Sequence, residues 1–249
     1  KKNFNKGLDV GSSLGVTFNG KVVVNLWGGY KDKDTRHKWE EDTIINVWSS
    51  TKNKASLCAL LLCEKGLLDF SAPVIEYWPE FSENGKENIL VKNIMSHSSG
   101  LSGWEQAINY KDYYNWKKLC NLLAEQKPFW KPGEEVGYHS ISVGYLIGEI
   151  VRRITGKSIG QFFKDEIAIP LGSDFHIGLA EENFDRVAEI FMPGDPSTED
   201  LFDEMDESSP AYKTMANGIL RPSFANEENW RKAEIPAAGG HGNGKSIAE

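Results

Sequence analysis

The chain has 249 residues, and 28 Lys+Arg against 36 Asp+Glu leave a formal net charge of −8. Hydrophobic residues make up 40% and charged residues 26%, an ordinary globular balance that excludes a disordered, collagen-like or low-complexity chain. The acidic excess repels phosphate backbones, so a nucleic-acid partner has no electrostatic support.

The N-terminus reads Lys1-Lys2-Asn3-Phe4-Asn5-Lys6, with no apolar segment behind the basic residues. No signal peptide is read there. No apolar run approaches the ~18 residues that a membrane span needs. Three cysteines (Cys58, Cys63 and Cys120) cannot all pair with one another, and no zinc-type spacing accompanies them. These features favour a cytoplasmic location, and neither metal nor cofactor is expected. At ~150 residues per domain the length allows one or two domains, and a single one is expected over residues 1–249.

The first readable element is a hairpin. Leu14–Phe18 and Lys21–Trp27 flank Asn19-Gly20, a dipeptide suited to a turn that needs positive φ at both central positions. A lone hairpin is marginal and needs more sheet around it. Thr43–Trp48 then leads into a helix expected from about Ser50 to Lys65. Its apolar residues cover most of the circumference, which predicts a central buried helix. A second helix is expected over Ser142–Thr155, with Val143, Leu146, Ile147, Ile150, Val151 and Ile154 on one face and Gly156 as the stop. A third starts at Ser158 and is expected to close before Pro170. The acidic stretch from Pro193 to Pro210 reads as a solvated loop. The chain thus divides into a sheet part (1–48) and a mainly helical part (49–249). The hairpin's sheet partners are not found before Glu249, so a further C-terminal segment carrying strands is expected.

Ser49-Ser50-Thr51-Lys52 is the sharpest chemical feature. Ser49 is the only serine in the chain with a lysine three positions on. Residues three apart on a helix share a face, so the amine reaches the hydroxyl. A helix N-terminus adds a positive dipole end that favours an alkoxide and lowers the lysine's proton affinity. An N-capping serine beside a surface lysine has the same spacing. Gly11-Ser12-Ser13-Leu14-Gly15 also fits the G-x-S-x-G pattern, but a nucleophile elbow needs a strand before the serine and a helix after it, and here a hairpin follows. Tyr138 lies in a glycine-bracketed loop before a helix and is a candidate second proton carrier or an ordinary core tyrosine with its hydroxyl bonded to backbone. Beside it, His139 is a candidate base or a core histidine. His97, in Ser96-His97-Ser98-Ser99-Gly100-Leu101, reads as a structural histidine. Gly239-Gly240-His241-Gly242 can be an oxyanion loop or a flexible helix entry.

Together these pieces resemble the serine β-lactamase/penicillin-binding-protein superfamily, in its class C-like esterase branch. Ser49-Ser50-Thr51-Lys52 is similar to the S-x-T-K motif. Glu64–Asp69 with Pro73-Val74, Ile94–Leu101, Trp130–Gly133 followed by Tyr138, Pro170–Gly172 and Pro236–Gly240 match further family segments in order. The resemblance implies an α+β fold of the β-lactamase/transpeptidase type, with an antiparallel sheet flanked by helices and a mostly helical subdomain. It implies a serine hydrolase that cleaves small acyl esters through an acyl-enzyme. Ser49 would be the nucleophile, Lys52 its base and Tyr138 the second proton-transfer group, with Ser140 and His139 as substrate-binding residues. The family's tyrosine motif has Asn where this chain has Ser140, a change compatible with the esterase branch. β-Lactam or peptide hydrolysis is an alternative activity, and a non-catalytic fold member is another.

Overall fold

The computed structural model describes residues 2–34, 36–191, 202 and 204–249. The acidic Pro193–Pro210 stretch lies largely outside them. The hairpin forms as its sequence predicts. Strands β1 (Gly11–Phe18) and β2 (Lys21–Gly29) pair antiparallel across Asn19 (φ 49°) and Gly20 (φ 71°), the two left-handed residues that a tight primed turn demands. Alternation sends Ser12, Leu14, Val16 and Phe18 to solvent and Gly11, Ser13, Gly15 and Thr17 inward. The inward row rests on a short helix, Gly244–Ala248, where Ser13 Oγ accepts from the Gly244 N–H at 2.9 Å and Thr17 Oγ donates to the Ala248 carbonyl at 2.9 Å.

A second sheet joins distant segments. Strands β3 (Ile44–Asn46), β4 (His176–Ile177), β5 (Val187–Ala188) and β6 (Gly240–Gly242) lie in the order β4-β6-β3-β5. β3 runs parallel to β5 and antiparallel to β6, so this sheet is mixed rather than antiparallel as expected. The fold is α+β, about 44% helix and 13% strand.

The helix after β3 spans Thr51–Glu64. It buries Ala55, Cys58, Ala59 and Leu62 but leaves Leu57 40% and Leu60 49% exposed, so it is half-buried rather than central. An all-round apolar pattern offers two faces, and the helices Ser142–Thr155 and Ile159–Phe163 pack against this one from the core side only. Ser142–Thr155 has the expected bounds, and Gly156 ends it in the left-handed conformation. The following helix does not close before Pro170. It widens into a π turn over Lys164–Ala168 and continues through Ile169–Leu171, with Pro170 in the first turn of that last piece, where a missing N–H costs little. One apolar core, centred on Trp78, Phe81, Trp104, Tyr145 and Trp230, joins these helices. Cys58, Cys63 and Cys120 are free thiols, and burial pushes Cys58 up to about 12.

Candidate active site

The site begins at a bend. β3 ends at Asn46, and Trp48 takes a left-handed backbone (φ 46°), a conformation that costs a bulky residue energy and persists only when its surroundings enforce it. Here they do. Thr51 Oγ donates to the Trp48 carbonyl at 2.6 Å and accepts from the Gly240 N–H at 2.9 Å. Asn46 Nδ2 donates to the carbonyls of Ala238 at 2.9 Å and Gly240 at 3.2 Å, and the Val47 N–H donates to the Gly240 carbonyl at 2.9 Å. The indoles of Trp48 and Trp230 pack 5.4 Å apart. A short 3₁₀ turn, Trp48–Ser50, then presents Ser49 at the surface, and the Thr51–Glu64 helix follows.

Three side-chain heads meet there. Lys52 Nζ donates to Ser49 Oγ at 3.1 Å and to the Ala237 carbonyl at 2.9 Å. The Tyr138 hydroxyl donates to Ser49 Oγ at 2.8 Å. Lys52 Nζ also lies 4.9 Å from the centre of the Tyr138 ring. The Ala237 contact needs close packing behind it: a Cβ on Gly144 would come within 2.6 Å of the Ala237 nitrogen, so the Ser142–Thr155 helix can approach only with glycine at that position.

The electrostatics follow from burial and proximity. Burial pulls Lys52 below its ordinary value of 10.5, against the opposing pull of hydrogen bonding to Tyr138. Burial raises the Tyr138 phenol, but the hydrogen bonds with Lys52 and Ser49 and the Lys52 charge outweigh it and leave the phenol below 10.0. An amine that gives up its proton readily and a phenol that does so too both touch one hydroxyl. Such an arrangement can take a proton from serine and return it to a leaving group.

The remaining candidates fall elsewhere. Ser140 is half-buried just beyond Tyr138. His139 is fully buried, with Nδ1 donating to the Gly137 carbonyl at 2.6 Å and Nε2 accepting from Ser99 Oγ at 2.7 Å. Its ring therefore offers no free nitrogen to a substrate. Ser12 and Ser13 lie within β1, where the Ser13 hydroxyl holds the terminal helix. The glycine run at 239–242 is no open oxyanion loop: the Gly239 N–H donates to the Ile235 carbonyl at 2.7 Å, the Gly240 N–H is taken by Thr51, and Gly240–Gly242 forms β6. Sequence reasoning missed the Ala237 carbonyl, because a backbone acceptor leaves no side-chain signature. Among the described residues no cluster of His, Cys, Asp or Glu can hold a metal ion, and no helix is long and apolar enough to cross a membrane.

The Beta-lactamase family model matches residues 1–249. The chain belongs to the beta-lactamase family. A family VIII carboxylesterase of known structure is similar to it over 99% of this chain and 65% of that one, with a TM-score of 0.91 and 40% identity. A penicillin-binding-protein homologue from Caulobacter crescentus is similar over 97% of this chain and 63% of its own, at TM-score 0.86 and 33% identity. Among curated proteins, the esterase/beta-lactamase LipL of Mycobacterium tuberculosis is 32% identical over 96% of this chain and 57% of its own length. The chain thus spans between 57% and 65% of the length of these family members.

Proposed function

We propose that this beta-lactamase family member is a serine hydrolase that cleaves small carboxylic esters through an acyl-enzyme on Ser49. The observation that carries this reading is the convergence of Lys52 Nζ and the Tyr138 hydroxyl on Ser49 Oγ, at 3.1 and 2.8 Å. Likeness to a family VIII carboxylesterase at 40% identity supports the ester as substrate.

Lys52 and Tyr138 act as one coupled acid–base pair. In its active form the pair carries one proton fewer than an ammonium plus a phenol. Ser49 Oγ attacks the ester carbonyl carbon while its proton passes to the pair. The tetrahedral oxyanion lies against the Ser49 backbone N–H at the start of the helix. Collapse breaks the acyl C–O bond, and the departing alkoxide takes the proton from the pair. Water then attacks the acyl carbon, the pair accepts one of its protons, and that proton returns to Ser49 as the carboxylic acid leaves. No cofactor enters these steps. Ser140, beside the pair, would contact the substrate.

The test is acylation itself. The protein should give a burst of p-nitrophenol from a short p-nitrophenyl ester, and Ser49→Ala should abolish it, a loss on the order of 10⁴-fold in turnover. Equal turnover in the variant would rule the mechanism out. The activity named for LipL suggests the second arm, a chromogenic cephalosporin. Faster turnover of the cephalosporin than of the ester would reassign the substrate class without moving the nucleophile.

A further inference from the structure

Tyr138 is 49% exposed, yet its hydroxyl must stay within hydrogen-bond reach of Ser49. A half-exposed phenol on a loop swings freely unless something holds it. The holding groups come from the 97–99 turn. The Gly137 N–H donates to the His97 carbonyl at 3.1 Å, so the backbone just before Tyr138 is tied. The His139 N–H donates to His97 Nδ1 at 3.1 Å, so the backbone just after it is tied to the same residue. The His139 ring, bonded to both Gly137 and Ser99, closes the frame from behind. The His97 ring itself packs on the Tyr138 ring, with centroids 5.2 Å apart. His97 adopts a left-handed backbone (φ 60°), uncommon for a residue with a side chain, and that strain sits where three bonded elements meet.

We propose, on the basis of the Ser49–Lys52–Tyr138 reading, that His97 is the positioning residue for Tyr138 and that its Nδ1 is a proton-sensitive latch. Nδ1 accepts the His139 N–H, so the neutral ring carries its proton on Nε2. A second proton can enter only at Nδ1. That proton turns the acceptor into a donor, breaks the bond to His139 and releases the loop on one side of Tyr138. It also places a positive charge beside Lys52. The groups facing His97 all work against the added charge or are neutral: Lys52 from the nucleophile helix, and the Tyr138 and His139 rings from the opposite loop. Burial and then the Lys52 charge hold His97 below its ordinary value of 6.5, so the latch is closed at neutral pH and opens in acid.

The consequence is a second acid step in catalysis. Protonating the Lys52–Tyr138 pair alone gives log kcat a slope of one against pH. Opening the latch raises that slope toward two at pH values below the His97 transition. The experiment is the pH profile of p-nitrophenyl butyrate hydrolysis by the protein and two variants, with melting followed at each pH. In His97→Asn the amide oxygen can accept from the His139 N–H, and asparagine tolerates the left-handed backbone, so kcat should stay within about threefold while the acid slope falls to one. His97→Leu keeps the bulk and loses the acceptor, so kcat should drop about 30-fold with KM changed less than threefold. If the leucine variant does not fold, ¹⁵N spectra of the wild-type imidazoles decide: a bare Nδ1 on His97 that titrates at the midpoint of the second acid step supports the latch, and a proton on Nδ1 at neutral pH overturns it. A slope of two retained in both variants, with Ser49 still labelled by a fluorophosphonate, overturns the role of His97 alone. Failure of Ser49 to label in the wild type overturns the catalytic reading and the latch with it.

Discussion

Two regions of this molecule obey the same β-strand and turn rules and end in opposite conditions. At the Ser49 bend, polar groups are tied at nearly every step: Asn46, Val47 and Thr51 reach into 238–240, Lys52 reaches Ala237, and the 97–99 turn holds both sides of Tyr138. In the β1–β2 hairpin the ladder runs from end to end with one bulge, between Val16 and Thr17, but only one face is covered. Leu14 is 54% exposed, Phe18 67% and Leu26 60%, and they share the open face. The first region holds geometry that its local sequence does not favour, the left-handed Trp48 and His97. The second holds geometry that its sequence favours strongly, and takes its tertiary support from one side, the Gly244–Ala248 helix. In the first region strain and dense bonding coincide, as expected if precise placement of side-chain heads is what the bonding is for.

The largest effects should therefore come from breaking the dense region. Tyr138→Phe removes one of the two groups on Ser49 Oγ and should lower kcat by about 10²–10³-fold with KM nearly unchanged, because the lost contact matters for proton transfer rather than for ground-state binding. Steady-state kinetics on a short ester checks this, and a fall in KM affinity with kcat intact would make Tyr138 a binding residue. The wild-type profile carries a sign as well. Burial lowers Lys52, and hydrogen bonding to Lys52 with its charge leaves Tyr138 lowered in spite of burial, so the pair loses its proton below the values of free lysine and tyrosine. Activity should rise as pH rises and level off before pH ~10. A profile still climbing there would mean the pair is not desolvated.

Next comes the frame behind the site. Glu149 is buried and accepts from Arg152 Nε and Nη2 at 2.8 and 2.7 Å, from Arg153 Nε at 2.7 Å and from Trp116 Nε1 at 2.8 Å. Burial works against its charge, but these partners prevail and hold the carboxyl below 4.5. Because the folded-state value is depressed, this contribution is present at neutral pH and is lost as pH falls through the lowered value. Glu149→Ala strands the Trp116 indole N–H and takes from Arg152 the carboxylate it donates to, while Arg153 keeps Glu80, and should cost about 2–3 kcal/mol in urea unfolding. Thr51→Val is smaller. It deletes one hydroxyl with two bonds at a site with no exposure, for about 1–2 kcal/mol, and it should lower kcat too if the bend positions Ser49.

Much of the fold could be read from periodicity. The hairpin and the Ser142–Thr155 helix follow from alternation, turn chemistry and a 3.6-residue repeat. Strands β4, β5 and β6 could not, since two or three residues carry no period. The Thr51–Glu64 helix was readable as a helix but not as half-exposed, because an apolar pattern does not say what covers it. The Pro170 boundary failed because the chain passes through a π turn at Lys164–Ala168 and the proline falls in the first turn of the next helical piece. At the site, Ser49 and Lys52 share a face by spacing alone. Tyr138 needed the family resemblance, since 86 residues separate it from Lys52 in the chain. The bonding of His97 and His139 stayed hidden for a different reason: apart from the Gly137 carbonyl, two residues from His139, their ring partners are 40 or 42 residues away, and such bonds leave no local pattern.

The smallest expected effect is the sharpest test of the contrast between the two regions. Leu14→Ser lies on the open face of β1, where the side chain stays 54% exposed and only its remaining area is covered, so unfolding free energy should fall by less than about 1 kcal/mol. Gly15→Val, one residue on, points the other way. A Cβ there would come within 2.1 Å of the Gly244 carbonyl oxygen and pry the hairpin from its helix. Neighbours in one strand should thus differ because the pleat sends them to opposite faces, one open and one closed. Equal losses at both positions would mean that the face carrying Leu14, Phe18 and Leu26 is covered in solution. The hairpin would then be held from two sides, as the Ser49 bend is, and the difference between the regions would lie in bonding type rather than in completeness.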